Sequence, residues 1–147
     1  MTDEDFRKTR IKGEKAQAKA IEWLKGEHPT IRSVEGYVSG YDLIDDTGYR
    51  VEVKLDLASI NTENIAIEFS SMGKKSGLAI TTADDWVHIF NYMGRWVYVV
   101  ANVLDLKSFI GNNWSYLHKV DGGFNKYSKM VLVPKSLMVE NFNCFSV

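Results

Sequence analysis

A cluster of turn formers inside an alternating run fixes the local fold. Asp45, Asp46, Thr47 and Gly48 stand together; aspartate and threonine side chains bond nearby backbone amides, and glycine reaches positive φ without a clash. Just after them, Arg50-Val-Glu-Val-Lys-Leu55 alternates strictly. In an extended strand Val51, Val53 and Leu55 then share one face, which leaves Glu52 and Lys54 side by side on the other. The segment 41–44 is predicted to fold back antiparallel across the turn. That hairpin brings Asp42 toward the pair.

Two carboxylates at hydrogen-bond range repel unless a cation neutralises them. An oxygen-only donor set suits Mg²⁺, which keeps several waters and binds substrate phosphate, with Mn²⁺ as its substitute. Such an ion lowers the pKa of a water and polarises a phosphoryl oxygen, while a neighbouring ammonium orients the nucleophile or offsets transition-state charge. Lys54 takes that last role. Acid-x-lysine pairs also occur on solvated strands as plain ion pairs, so the surrounding sequence has to decide.

The arrangement of Asp42 with Glu52-Val-Lys54 resembles the PD-(D/E)xK nuclease superfamily, whose signature is an acid at the end of one strand and (D/E)-x-K on the next. Here Gly40-Tyr41 precedes Asp42 in place of the proline, and the aspartate is the group that supplies the ligand. Asn64-Ile-Ala-Ile-Glu-Phe69, followed by Lys75-Ser-Gly-Leu-Ala-Ile-Thr-Thr-Ala-Asp-Asp-Trp-Val-His88, is similar to phage-encoded nucleases of that superfamily. At lower specificity the chain resembles Holliday-junction resolvases and other small branched-DNA endonucleases, which are commonly dimers. The resemblance implies one domain over residues 1–147: an α/β restriction-endonuclease-like core with a central mixed sheet flanked by helices. It implies a Mg²⁺-dependent DNA endonuclease that favours branched DNA and forms a homodimer. Asp42, Glu52 and the backbone carbonyl of Val53 would hold the metal, and Lys54 would be the catalytic cation.

The first helix offers a further acid. Residues 13–26 favour helix and end at a glycine suited to the C-terminal cap. Glu14, Ala18 and Ile21 fall at i, i+4 and i+7, which predicts that Glu14 faces the sheet. In many relatives of this kind a helix glutamate completes the metal site; the alternatives are Gln17 one turn along, or a first-turn acid that merely complements the helix dipole. Glu68 lies on the polar face of the strand 64–70. If that strand pairs with residues 50–55, Glu68 either steadies Lys54 or forms an ordinary cross-strand ion pair.

Candidate phosphate contacts are the cluster Arg7, Lys8, Arg10, Lys12 and Lys15, the loop Lys74-Lys75-Ser76, and the tail lysines Lys119, Lys126 and Lys129. The loop is preferred, since its glycines permit close backbone approach. Thr81 and Thr82 add hydroxyl contacts or, as the favoured reading, cap a short helical turn before Trp86. The net charge of −1 hides an acidic middle between basic ends, the distribution expected of a metal-loaded site between phosphate-contacting arms.

The rest reads as scaffold. Strands are predicted at 86–90 and 95–101 about a turn at 91–94, a short helix at 103–110, a loop at 121–123, a strand at 130–133 and a helical turn opened by Pro134. With 147 residues, 45% of them hydrophobic, the chain has enough apolar surface for one core. A single cysteine, Cys144, forms no internal disulfide, and the three histidines lack zinc spacing; His88 reads as a strand residue with a hydrogen-bond partner. No signal peptide or membrane span is evident, which predicts a cytosolic protein. The reading of another class is a non-catalytic nucleic-acid or protein-binding module whose charged cluster is an ion-pair network.

Overall fold

A computed structural model describes residues 3–36, 40–122 and 127–147, the side chains of residues 3–11 apart. Arg7, Lys8, Arg10 and Lys126, named above as phosphate contacts, therefore lie outside the described side chains. Helix α1 (Asp3–Leu24) leads to β1 (Arg32–Ser33), β2 (Leu43–Ile44) and β3 (Arg50–Asp56). Next come β4 (Asn64–Ser71), β5 (Lys74–Lys75), β6 (Asp85–Tyr92) and β7 (Arg95–Asn102). Helix α2 (Val103–Asn112), β8 (His118–Gly122), β9 (Ser128–Pro134), α3 (Lys135–Asn141) and β10 (Asn143–Ser146) complete the chain.

The expected hairpin forms. Leu43 pairs with Val51 and Ile44 with Arg50, antiparallel. Asp45 builds the turn: its Oδ1 accepts the amides of Thr47 and Tyr49 at 2.9 and 3.0 Å and the Thr47 hydroxyl at 2.6 Å. Its Oδ2 meets His28 Nδ1 at 3.1 Å. Led by the Thr47 bond, these partners lower the Asp45 carboxyl to about 2.

Six strands make a mixed sheet in the order β1-β2-β3-β6-β7-β10, with β6 parallel to β3 and the other pairs antiparallel. The parallel pairing requires a crossover, and here β4 and β5 lie within it. They join β8 and β9 in a second, four-stranded antiparallel sheet, ordered β5-β4-β9-β8. Only the central mixed sheet was expected. Strand β4 pairs with β5 and β9, not with β3 as the placement of Glu68 beside Glu52 would require.

Alternation sorts the side chains into two cores. Val51, Val53, Val87 and Ile89 pack with Ala16 and Ala20 of α1. Trp86, Phe90, Val97 and Val99, from the other face, pack with Ile65, Ile67, Val131 and Val133 of the second sheet and with Leu106 and Met138. The face bearing Glu52 and Lys54 is thus the one turned from α1.

Three expectations need correcting. Helix α1 begins at Asp3 and runs through Gly13, because one glycine costs a long helix only about 1 kcal/mol. Its buried stripe passes through Ala16 and Ala20, while Glu14 and Ala18 are exposed; small residues mark the face that approaches the sheet. Residues 121 and 122 continue β8 instead of forming a loop. The strands at 86–90, 95–101 and 130–133, the helix at 103–110 and the helical turn after Pro134 lie where expected. No helix among the described residues is long and apolar enough to cross a membrane.

Candidate functional site

The site begins just before β2, at Asp42. The Asp42 amide donates to Val51 O at 2.8 Å, and its carboxylate Oδ2 accepts the Val53 N–H at 2.8 Å. One strand residue's N–H and C=O point to the same side, so the Val53 carbonyl faces the same gap as Asp42. Glu52 Oε1 lies 3.1 Å from Lys54 Nζ, the side chains 13% and 43% exposed. Lys54 also sits 5.8 Å from the Trp86 ring centroid, within cation–π range.

Both carboxylates are uneasy in this setting. Burial raises the Asp42 carboxyl, against the lowering effects of the Val53 amide and Lys54. Burial likewise raises Glu52, opposed by Lys54 and reinforced by the charge of Asp42. Neither acid is fully compensated by its neighbours, and the two repel each other. A hard cation between them would relieve both.

Upstream geometry holds Asp42 in place. Thr81 Oγ1 donates to Gly40 O at 2.6 Å, and Thr82 N donates to the same carbonyl at 3.2 Å. Gly40 has φ +103, and a Cβ there would stand 3.0 Å from Thr82 Oγ1. The favoured reading of Thr81 and Thr82 as a helix cap is therefore corrected. Residues 81–84 form no helix, and Thr81 instead ties the strand of Asp42 to the start of β6.

Of the other expected residues, some converge and some do not. Gln17 is half-buried and accepts the Ser33 hydroxyl at 3.3 Å, whereas Glu14 is exposed, against the expected stripe. Glu68 is the last residue of β4 in regular register with β9 before a one-residue slip. By the same alternation that turns Ala66 that way, it borders, with Lys54, a cleft of about 430 Å³ whose wall also includes Asp56, Trp86, His88 and Met130. Lys12, Lys74 and Lys75 are exposed. Ser76 Oγ is turned into the protein, with no partner among the described residues, so it does not present a hydroxyl to a phosphate as expected. The close backbone approach at Gly77 is internal too: φ is +52, and a Cβ would meet Glu68 O at 2.2 Å.

A buried chain beside Lys54 was not foreseen as a unit. Trp86 Nε1 donates to His88 Nδ1 at 3.1 Å, which leaves the His88 proton on Nε2, facing Asp56 Oδ2 at 3.2 Å. Asp56 also accepts the Ser59 amide at 3.1 Å and the Ala66 amide at 2.9 Å. Burial alone would raise its carboxyl, but the His88, Ala66 and Ser59 bonds bring it below the ordinary value. The Ala66 N–H lies on the part of β4 that β5 leaves uncovered, so Asp56 stitches one sheet to the other. A signal was present: Glu52, Lys54 and Asp56 follow one another at spacing two.

Among the described residues no three His, Cys, Asp or Glu side chains gather closely enough to hold an ion. The oxygen donors converging here are two carboxylates and the Val53 carbonyl. No family model matches the chain, and no curated protein is significantly similar to it.

Proposed function

We propose that this chain is a divalent-metal-dependent nuclease that hydrolyses phosphodiester bonds in DNA, with the mixed sheet as a restriction-endonuclease-like core. One observation carries the reading: Asp42 is folded across the hairpin onto the Val53 amide, next to a Glu52–Lys54 pair at 3.1 Å. The fit of Mg²⁺ rests on the donor chemistry, two under-compensated carboxylates and a carbonyl, all oxygen, with the remaining positions left to water. When bound, the cation polarises the scissile phosphate, activates water and offsets charge on the leaving oxygen.

The chain's own groups do the rest. Asp42 is held by the Val53 amide with one oxygen, which leaves the other to face the gap. Glu52 keeps Lys54 above the Trp86 ring; with Glu52 engaged as a metal ligand, the Lys54 ammonium would be released to meet a phosphate oxygen. Exposed Lys74 and Lys75 on the β5 hairpin supply salt-sensitive backbone contacts.

A second reading has its own support. The Glu52–Lys54 ion pair answers part of the Glu52 charge without any metal, and the third acid expected for the site is on the exposed side of α1. A non-catalytic nucleic-acid-binding module with this ion-pair network would look the same. Incubation with linear, nicked, flapped and four-way DNA in Mg²⁺ or Mn²⁺, beside a matched RNA duplex, separates the two. The nuclease reading predicts cleavage that falls about 10²–10³-fold in Lys54→Ala while metal uptake persists. Absence of cleavage on every substrate, with no specific metal uptake, supports the module instead.

A further inference from the structure

Among the described residues the two sheets end in four edges, and these are not alike. Strand β1 carries Arg32, β5 is Lys74 and Lys75, and β8 carries His118, Lys119 and Asp121. Charges on an edge strand discourage another strand from docking. The remaining edge, β10, reads Asn143, Cys144, Phe145, Ser146. It has no charge, it pairs with β7 on one side only, and Phe145 is 46% exposed.

The register of that edge is readable. Val147 N donates to Trp96 O at 3.2 Å, so by alternation 143, 145 and 147 bond to β7, while the amides and carbonyls of Cys144 and Ser146 turn outward. A copy of the same strand laid antiparallel would pair Cys144 with Ser146 of its mate in both directions. Phe145 then falls on the two-fold axis in a non-bonded pair, where side chains approach most closely. Residue 147 comes opposite residue 143.

Charge makes the same demand. Between α1 and β10 the groove is basic near Val147, lined by Lys12, Lys15 and Lys19. Near Asn143 it is acidic, lined by Glu27, Asp85 and Asp105. Since 147 meets 143 across the axis, the lysine end of each copy adjoins the acidic end of the other. An isologous interface needs such self-complementarity.

We propose that β10 is the docking edge for a second copy of this chain, joining the two six-stranded sheets antiparallel about Phe145. The inference is independent of the chemistry at Asp42. Analytical ultracentrifugation over a concentration series tests it on the full chain. The expected result is a reversible dimer that weakens with added salt and is lost in Phe145→Lys, with wild-type circular dichroism in that variant. A second variant avoids reliance on a disruptive charge: Phe145→Cys, in a Cys144→Ser background, should oxidise to a covalent dimer, because Cα atoms of a non-bonded pair, about 4.5 Å apart, are within disulfide reach. A monomer at all concentrations, a dimer indifferent to Phe145→Lys, or failure of the Phe145→Cys chains to cross-link on oxidation overturns the proposal.

Discussion

Asp42 and Asp56 flank the same hairpin strand and are both half-buried, yet folding moves their carboxyls in opposite directions. Asp56 ends lower than its ordinary value because His88 and two amides answer its charge. Asp42 ends higher because one amide and a lysine do not offset its burial, and Glu52 beside it is raised in the same way. The difference separates an acid that serves the fold from acids the fold tolerates. Perturbed acids grouped in this way mark candidate functional sites.

The comparison can be broken first from the structural side. His88→Ala leaves a buried Asp56 without its main partner and strips Trp86 Nε1 of its acceptor. We expect a loss of about 2–3 kcal/mol in urea unfolding, the upper range for a hydrogen bond to a charged group, since the Ser59 and Ala66 amides still answer part of the Asp56 charge. A loss below about 1 kcal/mol, that of an ordinary hydrogen bond, would mean that Asp56 is held by its amides alone.

A smaller effect is expected at Gly77, whose close approach to Glu68 sets the wall opposite Lys54. Gly77→Ala adds a Cβ against Glu68 O and strains a positive φ, for about 1–3 kcal/mol. Wild-type stability in that variant would show that the wall yields easily.

Stability against pH sharpens the contrast further. Folding favours the protonated forms of Asp42 and Glu52, so the native chain holds more protons than the unfolded one above the ordinary carboxylate range. Their contribution without metal therefore falls as pH rises through that window to their raised values. Asp56 and Asp45 behave oppositely: their contribution is present above the ordinary range and is lost as pH falls through their lowered values, about 2 for Asp45. Asp42→Asn, which keeps an acceptor for Val53, should be more stable than wild type at neutral pH without metal, with the gain shrinking in mild acid. Urea titrations at the two pH values check the sign.

The smallest effect concerns Thr81. Removing its bond to Gly40 in Thr81→Val should cost about 1 kcal/mol. It should also reduce any cleavage, since the strand that presents Asp42 loses a tether.

The hairpin was legible in the sequence because turn chemistry and period-two alternation are local and agree with each other. Glu52 and Lys54 on one face, and Asp42 opposite them, follow from that alone. Glu14 was misplaced because the charged surface of α1 gives several possible phases, and the small residues Ala16 and Ala20 are the better marker of contact. Thr81 looked like a cap because its partner, Gly40, is far away in sequence. The second sheet has no clear local signature, since β5 is only two residues long and β8 is rich in charge. Asp56 with His88 depends on the parallel register of β3 and β6, which no local pattern specifies.

The central claim is that Asp42 and Glu52 together hold a divalent cation, and calorimetric titration of Mn²⁺ into wild type, Asp42→Asn and Glu52→Gln tests it most directly. The prediction is saturable uptake by wild type, with protons released in mild acid, and its loss in both variants. Equal uptake by Asp42→Asn and wild type, or no uptake by any of the three, would contradict it.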